Sequence, residues 1–339
     1  MSRNSHAPVR LAGSLLALLA LAGCRTVVGG GSGAALPFHY RHLVETSPRP
    51  LQIHAVRYDL RDRTCEVACV VATSDPDGDG PAETRLSHPE ITVTNRQLLV
   101  AVNTNPFSPV ADAQGRKPKG YVHGWPADIL GLAIEDGVRR SAREGGCGSF
   151  WIDAQGRPVI SYDEPPADAR QGVGGFAVVL REGEHTSKPT NGKNLAPRSA
   201  VGFDRDRRWL WIVVVDGRQP GYSEGVDMYE LGEILLELGC SEGLNLDGGG
   251  SSAIFFTETE SSQVRLLNRP SGLLTRPVPA LLGIRRRPSQ PVGLGETTGA
   301  GIEKRSASDR DQSTNRSPTQ FFAMFSVFLS QCCLSPTGC

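Results

Sequence analysis

The chain has 339 residues with 36 basic and 36 acidic side chains, so no global field draws it to nucleic acid. Its 39 glycines, 24 prolines and 6% aromatics predict strands joined by tight turns rather than a helical bundle. The stretch between the two ends has the length of one domain with a large core.

The N-terminus reads as a targeting segment. Arg3 and Arg10 precede an apolar run over 11–22 that is short for a bilayer span. The run ends in Leu21-Ala22-Gly23-Cys24, which resembles a bacterial lipobox. That likeness implies a signal peptide over 1–23, cleavage before Cys24 and lipidation of its thiol and new amine. Several acyl chains anchor a protein where one does not. An ordinary signal peptide with a chance cysteine is the alternative. Arg25 follows the cysteine, which by the sorting rule of Gram-negative lipoproteins favours the outer membrane. The expectation is a lipid-anchored protein of the cell envelope, on the periplasmic or outer-membrane side, with residues 24–48 as a linker.

Residues 51–60 and 64–72 read as strands joined at Arg61-Asp62-Arg63. Cys65 and Cys69 share one strand face about 13 Å apart, beyond bridging reach. With Cys147 and Cys240 they read as free thiols, and no Cys-x-x-Cys suggests zinc. Asp75-Pro76-Asp77-Gly78-Asp79-Gly80 imitates the start of a calcium loop, but Leu86 replaces the closing glutamate and no helix precedes it. It reads as a solvated loop. Residues 97–102 form a buried-type strand that delivers Asn103 to its end. Tyr121-Val122-His123-Gly124-Trp125-Pro126 reads as a packed surface loop, with a sugar-lining His123 and Trp125 as the alternative.

Hairpin signals follow at 131–138 around Asp136-Gly137 and at 150–161 around Asp153-Ala154-Gln155-Gly156. Residues 175–180 form a strand, and 200–203 pair with 209–215. Asp227 and Glu230 form a capping box for a helix burying Leu231, Ile234, Leu235 and Leu238, and Gly239 ends it. That helix is a crossover able to place Asp216 and Asp247 on one sheet edge, with their strands parallel. The expected fold is α+β: a mixed, largely antiparallel twisted sheet with a few packed helices, in a single domain over 49–287. Residues 288–339 are polar and nonperiodic, then apolar over 321–334, and read as a low-complexity, disordered tail without chemistry.

The most informative stretch is Asn245-Leu246-Asp247-Gly248-Gly249-Gly250-Ser251-Ser252. Three successive glycines fit a backbone that bends sharply or lets a group approach closely. The flanking carboxylate and hydroxyls make that visitor polar. The octapeptide resembles the signature of the phosphodiester glycosidase family. So do Ala101-Val102-Asn103-Thr104-Asn105-Pro106-Phe107, Pro197-Arg198-Ser199-Ala200-Val201-Gly202 and Val215-Asp216-Gly217-Arg218-Gln219-Pro220-Gly221-Tyr222-Ser223. Asn268-Arg269-Pro270-Ser271 leading into Arg276-Pro277-Val278 completes the likeness, which spans roughly 51–286. The family usually reads Asn-Gly-Gly-Phe-Phe where this chain has Asn103-Thr104-Asn105-Pro106-Phe107.

The resemblance implies hydrolysis of a sugar-1-phosphodiester at the anomeric carbon, on envelope or extracellular glycans such as exopolysaccharide. The leaving group is a phosphate monoester, whose charge must be held; Arg198 and Arg218 are the candidates. Asp247 is the first choice for the carboxylate serving the sugar centre and Asp216 the second. Asn103 and Asn245 would fix sugar hydroxyls or the acetamido group. Gly248, Gly249 and Gly250 would offer backbone N–H groups, and Ser251 and Ser252 hydroxyls, to the phosphate. Asp216-Gly217 reads equally as a turn, Arg198 as a structural partner of Asp216, and Asn245 as a turn cap. No His-Glu-x-x-His, Gly-x-Ser-x-Gly or Walker loop occurs, so zinc proteases, serine esterases and NTPases fit poorly. The rival function is a noncatalytic glycan-binding lipoprotein with a degenerate site. No cofactor is expected, unless Asp216, Glu224 and Asp247 hold a structural divalent cation such as calcium.

Overall fold

A computed structural model describes residues 36–288, apart from 113, 191, 259 and 260. The chain divides after Ser289. The signal peptide, Cys24 and all but the first residue of the 288–339 tail lie outside the described residues.

The chain opens with β1 (Phe38–Glu45) and β2 (Leu51–Asp59), then β3 (Cys65–Val71) and β4 (Thr84–Arg85). A short helix, α1 (Pro89–Asn95), leads into β5 (Leu98–Asn103). Next come β6 (Phe107–Pro109), β7 (Pro126–Ile129), β8 (Ala133–Glu135), β9 (Val138–Ser141), β10 (Ser149–Ile152), β11 (Pro158–Ser161) and β12 (Gln171–Gly174). Then follow β13 (Ala177–Arg181), β14 (Glu184–His185), β15 (Arg198–Phe203) and β16 (Trp209–Val215). After α2 (Met228–Glu237) the last strands are β17 (Glu242–Asn245), β18 (Ile254–Thr257), β19 (Val264–Leu266) and β20 (Ala280–Arg286).

These strands make a seven-stranded sheet in the order β1-β2-β16-β15-β17-β13-β14 and a five-stranded sheet in the order β19-β18-β5-β20-β3. A second five-stranded sheet runs β11-β10-β12-β8-β9, and three short strands pair as β4-β7-β6. Alternation along the strands decides which side chains meet. Val56, Tyr58, Val201, Ile212 and Val214 of the large sheet face Val100, Val102, Ile254 and Leu282 of the β5 sheet across the main core. The opposite face of the large sheet carries Ile53, Ala55, Val213 and Val215 against Leu231, Ile234 and Leu235 of α2. The central strand β16 therefore reads as an unbroken apolar run. Burial of Leu231 and Leu235 is worth roughly 1.5–3 kcal/mol each. The Asp227 carboxylate accepts the Glu230 N–H while Glu230 reaches back to the Asp227 N–H, closing the expected capping box.

Two expectations are corrected. First, every named pairing is antiparallel, and α1 and α2 are the only α-helices named among the described residues, so sheet dominates and the fold is neither mixed in its pairing nor clearly α+β. β16 and β17 do run in the same direction, but β15 lies between them, antiparallel to both. The reason is order of closure. The β15–β16 hairpin and β2 occupy both edges of β16, so the strand returning from α2 finds only the free edge of β15. Second, residues 38–45 are not linker: they pair along the whole of β2. The two strands expected around Arg61-Asp62-Arg63 are present as β2 and β3, in different sheets; the turn between them is held by Asp62 Oδ1, which accepts the Thr64 and Cys65 N–H groups.

Cys65, Cys69 and Cys240 are buried free thiols and Cys147 is a partly exposed one; the strand spacing excludes only a Cys65–Cys69 bridge. Asp75 and Asp77 turn their carboxylates onto backbone N–H groups of their own loop.

Candidate functional site

Because β16 and β17 share a direction, Asp216 and Asp247 leave the sheet at the same edge, where β15 begins with Arg198. The end of β5 meets this edge from the facing sheet. Asn103 Nδ2 donates to the Asp247 carbonyl at 2.5 Å, and Asn103 Oδ1 accepts from Ser199 Oγ at 2.7 Å and Ala253 N at 3.2 Å. The Asp247 N–H donates to the Thr104 carbonyl at 2.7 Å. One buried amide thus clasps both ends of the glycine-rich loop, and all of its hydrogen bonds go to protein.

The glycines are explained by what lies against them. A β-carbon at Gly248 would come 2.8 Å from the Pro197 carbonyl, and one at Gly249 would come 3.0 Å from Arg218 Nη1. One at Gly250 would overlap the Arg276 guanidinium. Gly249 also has φ +60°, in the left-handed region. The close visitors inferred from the sequence are therefore the protein's own arginines and a backbone carbonyl.

Arg276, absent from the sequence-derived candidates, is central. Its Nη1 donates to Ser251 Oγ at 3.1 Å, and its guanidinium lies 4.2 Å from the Tyr121 ring centroid. Arg198 donates to the Val226 and Asn194 carbonyls. Its acidity is increased first by burial and then by the charge of Arg218 nearby. Among the described residues none of Arg198, Arg218 and Arg276 is in an ion pair. Arg198 is thus not the partner of Asp216. Guanidinium charge gathered at the loop without a carboxylate partner favours an anion. The Gly248 and Gly249 N–H groups expected to meet the phosphate are instead taken, by Asp247 Oδ1 and by the Pro197 carbonyl.

Asp247 is partly exposed at this cluster. Burial pushes its carboxyl above the usual range, opposed by hydrogen bonding from Ser251, by the Arg276 charge and by the Gly248 N–H, which donates to Oδ1 at 3.0 Å. Asp216 is placed differently. It is 1% exposed, and its carboxylate accepts from Asn268 Nδ2 at 2.8 Å, Arg269 N at 3.0 Å and Tyr222 Oη at 3.4 Å. His54 Nε2 lies 3.5 Å away, and its Nδ1 shares a 2.7 Å hydrogen bond with Tyr40 Oη whose direction is set by the imidazole tautomer. Burial, then the Asp216 charge, push Tyr40 up to about 12, so its phenol stays protonated. Asn268 Nδ2 also donates to the Ser252 carbonyl at 3.1 Å. Asp216 therefore reaches the glycine-rich loop through Asn268 rather than through its own carboxylate.

Asn245 is fully buried and neither atom of its amide has a protein partner; the Ser252 hydroxyl is likewise buried and unpartnered. Opposite Ala200, Asn245 lies on the α2 side of the sheet, the side to which Arg198 also points by alternation. Among the described residues no three of His, Cys, Asp and Glu gather as a metal would need, so Asp216, Glu224 and Asp247 do not form the calcium cluster entertained from sequence. His123 and Trp125 serve the loop itself. Trp125 Nε1 donates to the Val110 carbonyl at 2.7 Å, and His123 stacks on His88. The residues missed from sequence are Arg276, Asn268, Arg269, Tyr40 and His54. The first three lie in motifs that carry the family resemblance; His54 is signalled only by its inward register on β2.

The fold gathers Arg198, Arg218 and Arg276 around the glycine-rich loop at this sheet edge. A family model described as phosphodiester glycosidase matches residues 96–285, and the chain belongs to that family. The chain is 29% identical over 175 residues to the SPbeta prophage-derived uncharacterized protein YomE of Bacillus subtilis (strain 168). That match takes in 47% of this chain but only 26% of the relative's length. A hypothetical protein from Synechocystis superposes with a TM-score of 0.56 at 13% identity, over 78% of this chain and 64% of that one. The catalytic domain of zebrafish N-acetylglucosamine-1-phosphodiester alpha-N-acetylglucosaminidase, auto-inhibited by its pro-peptide, gives 0.52 at 20% identity, over 78% and 88%. At these identities both are likenesses of fold.

Proposed function

We propose that the chain hydrolyses a sugar-1-phosphodiester at the anomeric carbon, releasing the sugar and a phosphate monoester. The observation that carries this reading is the set of unpaired arginines around a glycine-rich loop that also presents Asp247. Arg198 and Arg218 hold the phosphate. Asp247 faces the sugar centre. Water attacks the anomeric carbon, its proton passes to Asp247, and the carbon–oxygen bond breaks with its electron pair going to the phosphate. A phosphate monoester is a weak base, so this leaving group needs charge stabilisation more than a proton. Burial makes Asp247 a better base, while Ser251 and Arg276 orient it and keep it ionised. The substrates are envelope or extracellular glycans such as exopolysaccharide, reached from a lipid anchor on Cys24.

The rival is a noncatalytic glycan-binding protein, and the commitment of Asn103 and Asp216 to protein partners is what favours it. The deciding experiment is a screen of the purified chain against several sugar-1-phosphodiesters, beside Asp247→Asn. Sugar release by the wild type that the variant loses supports the hydrolase. Binding without release in both proteins supports the rival.

A further inference from the structure

We infer that Tyr121 is the platform on which the glycosyl unit of the substrate stacks, an inference that rests on the proposed hydrolase reading. Tyr121 is 41% exposed, although it is a large aromatic in contact with a charged group of the site. Its loop is fixed from below: the Gly124 N–H donates to the Leu86 carbonyl at 2.7 Å, the Leu86 N–H to the Trp125 carbonyl at 2.8 Å, and Trp125 Nε1 to Val110. Phe107 meets the ring edge-on, with centroids 5.0 Å apart. A ring held this firmly yet left open to solvent is pre-organised for a partner.

Its neighbours say which partner. The guanidinium over Tyr121 belongs to Arg276, whose Nη1 donates to Ser251 Oγ and whose charge acts on the Asp247 carboxyl. This chain of contacts leads to the group that serves the anomeric carbon. Arg198 and Arg218 lie at Gly248 and Gly249, the other part of the loop. The ring therefore belongs to the sugar side of the scissile bond. A pyranose presents an apolar face of C–H groups, which suits the face of a tyrosine ring, while its hydroxyls reach the nearby polar groups.

The test is calorimetric titration of the full chain with α-glucose 1-phosphate and, separately, with inorganic phosphate. Tyr121→Ala should weaken glucose 1-phosphate about tenfold and change inorganic phosphate by less than about twofold. Tyr121→Phe should keep both affinities. An equal fall for both ligands overturns the proposal, because Tyr121 would then act only by seating Arg276. No change for either ligand overturns it as well, and so does a wild-type chain that binds no glucose 1-phosphate. Binding needs no turnover, so a failure of the hydrolase reading appears separately, as ligand bound by a wild type that releases no sugar.

Discussion

The guanidinium of Arg276 occupies the space that a β-carbon on residue 250 would take, so its contact with Ser251 depends on Gly250 having no side chain. Gly250→Ala should push Arg276 off Ser251 with little strain elsewhere, because a long side chain gives way easily. Turnover should fall roughly 100-fold while the melting temperature moves by less than about 4 °C. The double variant Gly250→Ala/Arg276→Ala should be no slower than Arg276→Ala alone, since both changes remove one contact. Additive losses in kcat/KM would contradict the shared mechanism.

Arg198 and Arg218 are expected to act on the leaving phosphate. Alanine at either should lower turnover of sugar phosphodiesters roughly 100-fold or more. Lysine keeps the charge without the fork and should fall between alanine and wild type. Activated aryl glycosides, which leave without a phosphate, should be affected far less. Equal losses on both substrate types would remove the phosphate-holding role.

What was legible from sequence followed from local signals. The capping box of Asp227 and Glu230, the apolar face of α2, the Asp136-Gly137 hairpin and the β15–β16 pair are each specified within a few residues. The shared edge of Asp216 and Asp247 was legible too, because a helix returning a strand fixes its direction whichever neighbour it pairs with. The neighbour itself was not, since it depends on which edges are already taken. α1 was hidden because Ile91, Thr92, Val93 and Thr94 are β-branched and weak helix formers. The contrast between the two aspartates was hidden as well. Each ends an apolar strand and precedes a glycine, and it is Asn268 and Arg269, distant in sequence, together with Tyr222 and His54, that enclose one of them.

That contrast gives a stability prediction. Asp216→Ala should leave Asn268, Tyr222 and the Arg269 N–H without their buried acceptor, at a cost of about 3 kcal/mol or more. Chemical denaturation should register this as a lower midpoint with an unchanged slope. Asp216 would be a surface group, contrary to the structure, if the midpoint stayed within error of wild type.

The anchor is tested by fractionation. Cys24→Ser should move the protein from the membrane fraction to the soluble one, because the acyl chains depend on that thiol. Retention on membranes after a salt wash would count against lipidation.

The last prediction concerns pH. Burial raises the Asp247 carboxyl above its unfolded value, while Ser251, Arg276 and the Gly248 N–H oppose the rise. A base must be ionised, so kcat/KM should rise with pH through the folded pKa of Asp247, giving an acid limb above the ordinary carboxylate range. Arg276→Ala removes a cation that favours the ionised form, and should shift that limb to higher pH. Stability carries the opposite sign. A carboxyl raised by folding contributes stability that is fully present below its unfolded pKa and lost as pH rises through the folded one. Asp247→Asn, which never ionises, should therefore gain stability relative to wild type as pH passes through that window, and the two should converge below it. Melting curves of both proteins across that range, beside pH–rate profiles of wild type and Arg276→Ala, make the test. An acid limb that Arg276→Ala leaves in place would assign the titration to a group other than Asp247.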